Sequence, residues 1–295
     1  MNKYKTPTKA VITDAGFASR YLPITKTIPK AMLPMGNKPV MQLVVEECVN
    51  AGIRDIIIVA SSDGKPIYED YFTNPVKKVL QQLKSQNKED RYESVKKVLE
   101  LANITVIEQD KNLPYGNGSP IASARPYLND DEAFVALYSD DLILGVGDVA
   151  TLLVAHKKYP DAAAIIAAQE MPQEVWHRYG MIALKNEKKR TLSHIVEKPK
   201  TPEESPSNLT SYGRYLLTPD VFKYLVPKNT GLDDELWTVD AITKLAKVGD
   251  VYVTNSRGKW LTTGDPKNYV AAYLQYVLEE EDYADVIQEV LKPNK

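Results

Sequence analysis

The 295-residue chain predicts an α/β fold built on a doubly wound, mostly parallel, Rossmann-like sheet. Three observations predict it. Strand and helix patterns alternate through the first third of the chain. Asp55–Ala60 (DIIIVA) is nearly all apolar, as a strand covered on both faces must be. The strand patterns run into loops rich in glycine, acids and amides, where open α/β sheets bind their ligands.

The elements follow in order. Ala10–Asp14 (AVITD) is a β-prone run that ends at a glycine-containing loop. Pro39 opens a helix in which Val40, Leu43, Val44 and Cys48 recur at spacings of three and four, and Gly52 closes it. After the strand Asp55–Ala60 comes a polar, lysine-rich stretch with surface helices at Val76–Leu83 and Tyr92–Leu101. Ile104–Glu108 and Ala133–Tyr138 read as strands, Asp148–Tyr159 as a helix and Ala162–Gln169 as a strand. Right-handed crossovers would place every strand's C-terminal end on one rim. From Tyr179 the rhythm changes. Gly180–Leu184, Leu192–Glu197 and Ser211–Leu217 are strands with short connections. Pro219–Leu225 and Glu235–Lys247 read as helical, Val251–Asn255 as a strand, and Lys267–Leu291 as a C-terminal helical region. With no internal repeat and no low-complexity linker, residues 1–295 are expected to form one body.

Composition narrows the function classes. The 37 basic and 39 acidic residues leave a net charge of −2, against a nucleic-acid scaffold. Cys48 is the single cysteine, which excludes a disulfide framework and a multi-cysteine zinc site, and His156, His177 and His194 stand apart. No apolar run is long enough for a signal peptide or a membrane span, so a cytoplasmic protein without membrane attachment is expected.

Five segments could carry chemistry. Ala15–Pro39 follows the first strand and combines Ala15 and Gly16 with Arg20, Lys26, Lys30 and several prolines. Exposed amides and cations on a stiff strap suit a polyphosphate, and a solvated basic loop is the alternative. Neither G-x-G-x-x-G nor the P-loop pattern occurs there. Ser139-Asp140-Asp141 ends the strand Ala133–Tyr138. A carboxylate beside a phosphate loop suits Mg²⁺, and a pair of turn-capping acids is the alternative. Glu197-Lys198-Pro199 could grip sugar hydroxyls and a phosphate, or form a surface ion pair. Gln109, with Tyr115-Gly116-Asn117-Gly118-Ser119, could read a base edge or be a plain turn, and Tyr179-Gly180 could touch a sugar or begin a strand.

GFASRYLPITKTIPKAMLP resembles the signature loop of the sugar-1-phosphate nucleotidyltransferases, within them the bacterial-type UTP–glucose-1-phosphate uridylyltransferases. KPVMQLVVEECVNAGIRDIIIV, SDDLIL, YGMIAL, IVEKPK and ESPSNLTSYGRYLLTPDVF fall in that family's order, so the resemblance spans nearly the whole chain. It implies a nucleotidyltransferase-type sheet with residues 1–160 mainly nucleotide-binding, 161–265 mainly sugar-phosphate-binding and 266–295 helical. It implies UTP and glucose 1-phosphate as substrates, Mg²⁺ as cofactor and a homodimer or homotetramer. The same chemistry with dTTP or another sugar phosphate, and a non-catalytic nucleotide-sugar binder, are the competing readings. By resemblance, Ala15 and Gly16 approach the nucleotide through their backbone, Arg20 holds the leaving phosphates, and Lys30 neutralises charge in the transition state. Gln109 and Gly116 read uracil, and Asp140 ligates Mg²⁺. Gly180 and Glu197 hold glucose, and Lys198 its phosphate. Four positions depart from the family's pattern: Ala18 for a glycine, Ala31 for a glutamate, Ser139 for a proline, and Thr262 for an aspartate that helps bind metal.

Overall fold

The computed structural model describes residues 3–290. The chain begins with β1 (Lys9–Asp14), a hairpin of β2 (Pro34–Met35) and β3 (Lys38–Pro39), α1 (Val40–Asn50) and β4 (Asp55–Ala60). Then come α2 (Lys65–Thr73), α3 (Lys77–Ser85), α4 (Glu93–Leu99), β5 (Asn103–Glu108), α5 (Gly118–Ser123), β6 (Phe134–Tyr138) and β7 (Asp141–Leu144). The second half holds α6 (Asp148–Lys158), β8 (Ala164–Glu170), β9 (Gly180–Asn186), β10 (Thr191–Glu197) and β11 (Leu209–Leu217). It closes with α7 (Thr238–Leu245), β12 (Val251–Asn255), β13 (Lys259–Thr262), α8 (Pro266–Glu279) and α9 (Glu281–Val290).

Nine strands form one sheet in the order β5-β4-β1-β6-β11-β8-β12-β10-β9. β1 pairs in parallel with β4 (Val11↔Ile57) and with β6 (Val11↔Ala136). Successive side chains of a strand point to opposite faces. Ala10 and Ile12 therefore pack beneath Val40, Val44 and Cys48 of α1, Val149 and Leu152 of α6 and Tyr276 of α8. Val11 instead joins Ile121 of α5 and Val239, Ile242 and Leu245 of α7 on the other face. This is the doubly wound arrangement that the apolar strands predict.

The structure differs from the sequence expectations at several elements. β11 runs antiparallel to both β6 and β8, so its N-terminal residues, not its C-terminal ones, reach the rim. It enters from the loop after β10 without a crossover helix, and periodicity carries no strand direction. The predicted helix Pro219–Leu225 is a 3₁₀ turn over Pro219–Lys223, and the predicted helix at Glu235 starts only at Thr238. The polar stretch after β4 also holds α2, to which the sequence reading assigns no element, and α2 buries Tyr68 and Phe72, four residues apart, against the sheet. The ribbon of β7 and β13 was not expected at all. The C-terminal helical region is two helices, α8 and α9, and Leu291 lies outside the described residues.

Candidate active site

Asp140 sits in the turn between β6 and β7. Its backbone carbonyl accepts from the Thr263 amide at 2.6 Å, and its Oδ2 accepts from Lys30 Nζ at 2.5 Å. Lys30 stands on a 3₁₀ turn, Lys30–Met32, that follows Pro29. Burial disfavours the Lys30 charge, but the Asp140 and Asp14 carboxylates beside it win and hold its pKa above the ordinary lysine value. Burial likewise opposes ionisation of Asp140, and Lys30 overrides it, so the Asp140 carboxyl lies below the usual range. Asp141 is pushed up by burial and by the Asp140 charge, which outweigh Arg214, the Trp260 hydrogen bond and Lys30.

Buried polar groups fix this turn. Trp260 Nε1 donates to Asp141 Oδ1 at 2.7 Å. Arg214, fully buried, donates through Nε and Nη2 to Glu47 Oε2 at 3.1 and 2.9 Å. Its Nη1 donates to the Tyr138 carbonyl at 3.0 Å, and its Nη2 also donates to the Asp141 carbonyl. One guanidinium thus clips the backbone on both sides of Asp140. Ser139 Oγ and the Tyr68 hydroxyl both donate to the Asp14 carboxylate at the end of β1.

At the other end, Gly180 opens β9 beside Glu197 of β10 and Ser211 of β11. A methyl group at Gly180 would fall 2.9 Å from Glu197 Oε2 and would push that carboxylate aside. Burial pushes the Glu197 pKa up to about 7; Lys198 opposes the shift, and Asp240 and Glu235 reinforce it. A cleft of about 750 Å³ joins the two ends, with Arg20, Asp140, Gly180, Glu197 and Lys198 in its walls. The Arg20 turn is tied to the residue that supports Asp140, because the Tyr21 hydroxyl donates to the Thr263 carbonyl at 2.6 Å. A second hollow, about 880 Å³, lies among α1, α2 and α4, away from all of these residues.

The sheet order, the cationic loop after β1 and the acidic turn after β6 are the frame on which comparisons with known proteins bear. The model of the nucleotidyl transferase family matches residues 9–279. The chain belongs to that family. It is 37% identical over 290 residues to UTP–glucose-1-phosphate uridylyltransferase 2 of Staphylococcus saprophyticus, covering 97% of this chain and 98% of the relative. It is 35% identical over 280 residues to the UTP–glucose-1-phosphate uridylyltransferase of Bacillus subtilis, covering 94% and 93%. Among solved structures, a UTP-bound UGPase from Acinetobacter baumannii is similar with a TM-score of 0.85 at 28% identity, over 98% of this chain and 100% of that one. A UDP-glucose pyrophosphorylase complexed with UDP-glucose gives a TM-score of 0.79 at 30% identity, over 93% and 100%.

Five of the ten residues singled out in the sequence of this nucleotidyltransferase therefore line one cleft, and Lys30 reaches it through Asp140. The other four lie outside those walls. Ala15 and Gly16 sit on the loop between β1 and the Arg20 turn, where a side chain at Gly16 would meet nothing within 4 Å. Gln109 follows β5, its amide donating to the Ala60 carbonyl at 2.9 Å. Gly116 takes φ +129 and is closed against Leu236, whose backbone lies 2.5 Å from where a Cβ would be, so packing alone already requires glycine there.

The four departures have local explanations. Ala18 adopts the left-handed conformation, φ 50, at the start of the Ser19–Tyr21 turn, so an alanine holds a glycine-like backbone. Ala18→Gly is expected to stabilise the fold by about 1 kcal/mol, read by urea denaturation; an unchanged midpoint would count against strain at that turn. Ala31 is buried in the core. The Ser139 amide donates to the Thr13 carbonyl at 3.2 Å and its hydroxyl to Asp14 at 2.8 Å, neither of which a proline could do. Thr262 pairs with Asp141 in the β7–β13 ladder. A Cβ on Gly264 would lie 3.2 Å from Asp140 Oδ2 and 3.4 Å from Thr262 Oγ1, so both side chains converge on that glycine.

That convergence bears on a metal. No group of three or more His, Cys, Asp or Glu among the described residues could hold one. Mg²⁺ commonly takes one or two carboxylates and completes its shell with phosphates and water. The Asp140 carboxylate, facing the cleft with a hydroxyl near it, fits that donor set.

Glu197 also yields a pH prediction. Its carboxyl has a raised pKa in the fold against 4.5 in the unfolded chain, so ionisation costs stability as pH rises from about 4.5 to 7, and the full cost is present above 7. Glu197→Gln removes the ionisation. The variant is expected to match wild type at pH 4 and to exceed it at pH 8 by up to about 3 kcal/mol. An equal difference at both pH values would show that burial does not control this carboxyl.

Proposed function

We propose that the chain transfers the uridylyl group of UTP to glucose 1-phosphate, forming UDP-glucose and releasing pyrophosphate. The observation that carries this reading is the single cleft that sets Arg20 and the Lys30–Asp140 pair at one end and Gly180, Glu197 and Lys198 at the other. A phosphate oxygen of the sugar phosphate attacks the α-phosphorus in line, and the bond to the β-phosphate oxygen breaks. No strong base is required, because a phosphate monoester with a second pKa of about 6 is already largely dianionic at neutral pH. Bringing two anions together is the obstacle, so alignment and charge neutralisation are the catalytic tasks.

In this reading Arg20 grips the leaving phosphates with its planar fork, and Lys30 supplies charge at the reacting phosphate. The backbone of Ala15 and Gly16 approaches the triphosphate, and Gln109 and Gly116 read the base. Glu197, against Gly180, accepts from glucose hydroxyls, and Lys198 meets the sugar phosphate. Asp140 would hold Mg²⁺, which when bound offsets phosphate charge. A homodimer or homotetramer is part of the proposal, supported by exposed Val270, Leu274 and Leu278 along α8. So is a cytoplasmic location: none of the described helices is long and apolar enough to cross a membrane.

Lys198→Ala tests the division of labour. It should raise the KM for glucose 1-phosphate by roughly tenfold or more, the scale for losing a charge-assisted contact, while calorimetric UTP affinity stays within twofold. A large loss of UTP affinity with normal sugar-phosphate kinetics would move Lys198 to the nucleotide. Running dTTP and other sugar 1-phosphates beside the proposed pair tests substrate choice, with UTP and glucose 1-phosphate expected to give the highest kcat/KM.

A further inference from the structure

We propose that Trp237 is a positioning residue that carries the Lys198 ammonium on its indole face and so holds it off hydrogen-bond contact with Glu197 at the sugar-phosphate end of the cleft. The proposal rests on the reading of Lys198 as the contact for the sugar phosphate.

Lys198 Nζ lies 4.4 Å from the centroid of the Trp237 ring, within cation–π range. Its separation from Glu197 Oε1 is 4.0 Å, a loose ion pair too long for a hydrogen bond. Both ends of the contact are anchored. The Trp237 ring is buried, and its Nε1 donates to the Leu232 carbonyl at 3.0 Å. Lys198 has a left-handed backbone, φ 47, and its amide donates to the Tyr179 carbonyl at 3.0 Å. Between these anchors runs a flexible four-carbon stem that is 45% exposed.

Without a platform, the ammonium would be free to close on Glu197 to hydrogen-bond distance. A carboxylate partner would cancel the charge and would have to be displaced by an incoming phosphate. The indole face attracts the ammonium without neutralising it, so the charge stays available to a dianion. The ring thus raises affinity by pre-placing a cation rather than by touching the phosphate.

The test replaces Trp237 alone with mono-, di- and trifluorotryptophan, which keep the ring's shape while withdrawing charge from its face. The KM for glucose 1-phosphate should rise stepwise, by roughly two- to thirtyfold across the series, with kcat and the KM for UTP within twofold of wild type. In a Lys198→Ala background the series should be flat. Trp237→Phe, which keeps a weaker π face, should fall between wild type and Trp237→Leu. An unchanged KM across the fluorinated series would overturn the proposal, as would an equal rise without Lys198. If wild type releases no pyrophosphate from UTP and glucose 1-phosphate, the functional reading fails by itself. Calorimetric titration of the same proteins with glucose 1-phosphate then decides this one. A Kd that weakens with fluorination supports it, a flat series overturns it, and no binding to wild type overturns both.

Discussion

Asp140→Asn is expected to lower turnover by roughly a hundred- to a thousandfold, the scale of losing a major electrostatic contact to the transition state, at every magnesium concentration. The side chain keeps its size, and its backbone carbonyl still accepts from the Thr263 amide. What is lost is the charge that holds Lys30 at 2.5 Å and that would ligate the metal. Thr262→Asp is the complement. Position 262 faces Asp140 across Gly264, so a carboxylate there should lower the Mg²⁺ concentration for half-maximal rate. A magnesium titration of both variants beside wild type checks the pair. Normal turnover and normal Mg²⁺ dependence in Asp140→Asn would put the metal elsewhere. Loss of the Thr262→Asp effect alone would leave Asp140 in place and remove position 262 from the ion.

Arg214→Met should cost about 3–5 kcal/mol of folding stability, the range for breaking a buried ion pair by removing one partner. Glu47, at 8% side-chain exposure, would be left charged and unpaired. The Tyr138 and Asp141 carbonyls would lose a donor as well. Because those carbonyls flank Asp140, turnover should fall with stability. The double variant Arg214→Met, Glu47→Leu should recover much of the stability, since no charge is then left buried, but not the turnover. Urea denaturation and initial rates measure both. A loss under about 1 kcal/mol in the single variant would mean that this pair behaves like a solvated surface bridge.

Arg214 also shows where sequence reading stops. An arginine inside the apolar strand LTSYGRYLL is visibly anomalous, yet its partner Glu47 is 167 residues away, so no local pattern assigns it a task. The Lys30–Asp140 pair is the same case: each residue belongs to a readable motif, but their contact across 110 residues belongs to the fold. β1, β4 and β6 were legible because buried strands must be continuous apolar runs. β7 and β13 were not, because DLIL and KWLT are only four residues each and neither alternates. α2 carries Ile67, Tyr68, Tyr71 and Phe72 at helical spacing, but over only nine residues, too short a run to stand out from the polar stretch around it. Strand direction leaves no mark on composition, so the reversal at β11, which brings Ser211 and Gly213 to the cleft, required coordinates.

The most direct test of the central claim follows the γ-phosphorus. UTP labelled with ³²P at the γ position is incubated with wild-type protein, Mg²⁺ and glucose 1-phosphate, and the products are separated. Attack at the α-phosphorus predicts all released label in pyrophosphate, equimolar with unlabelled UDP-glucose, and none released when glucose 1-phosphate is omitted. Label in orthophosphate or on the sugar, or intact UTP beside unconsumed glucose 1-phosphate, would contradict uridylyl transfer by this cleft.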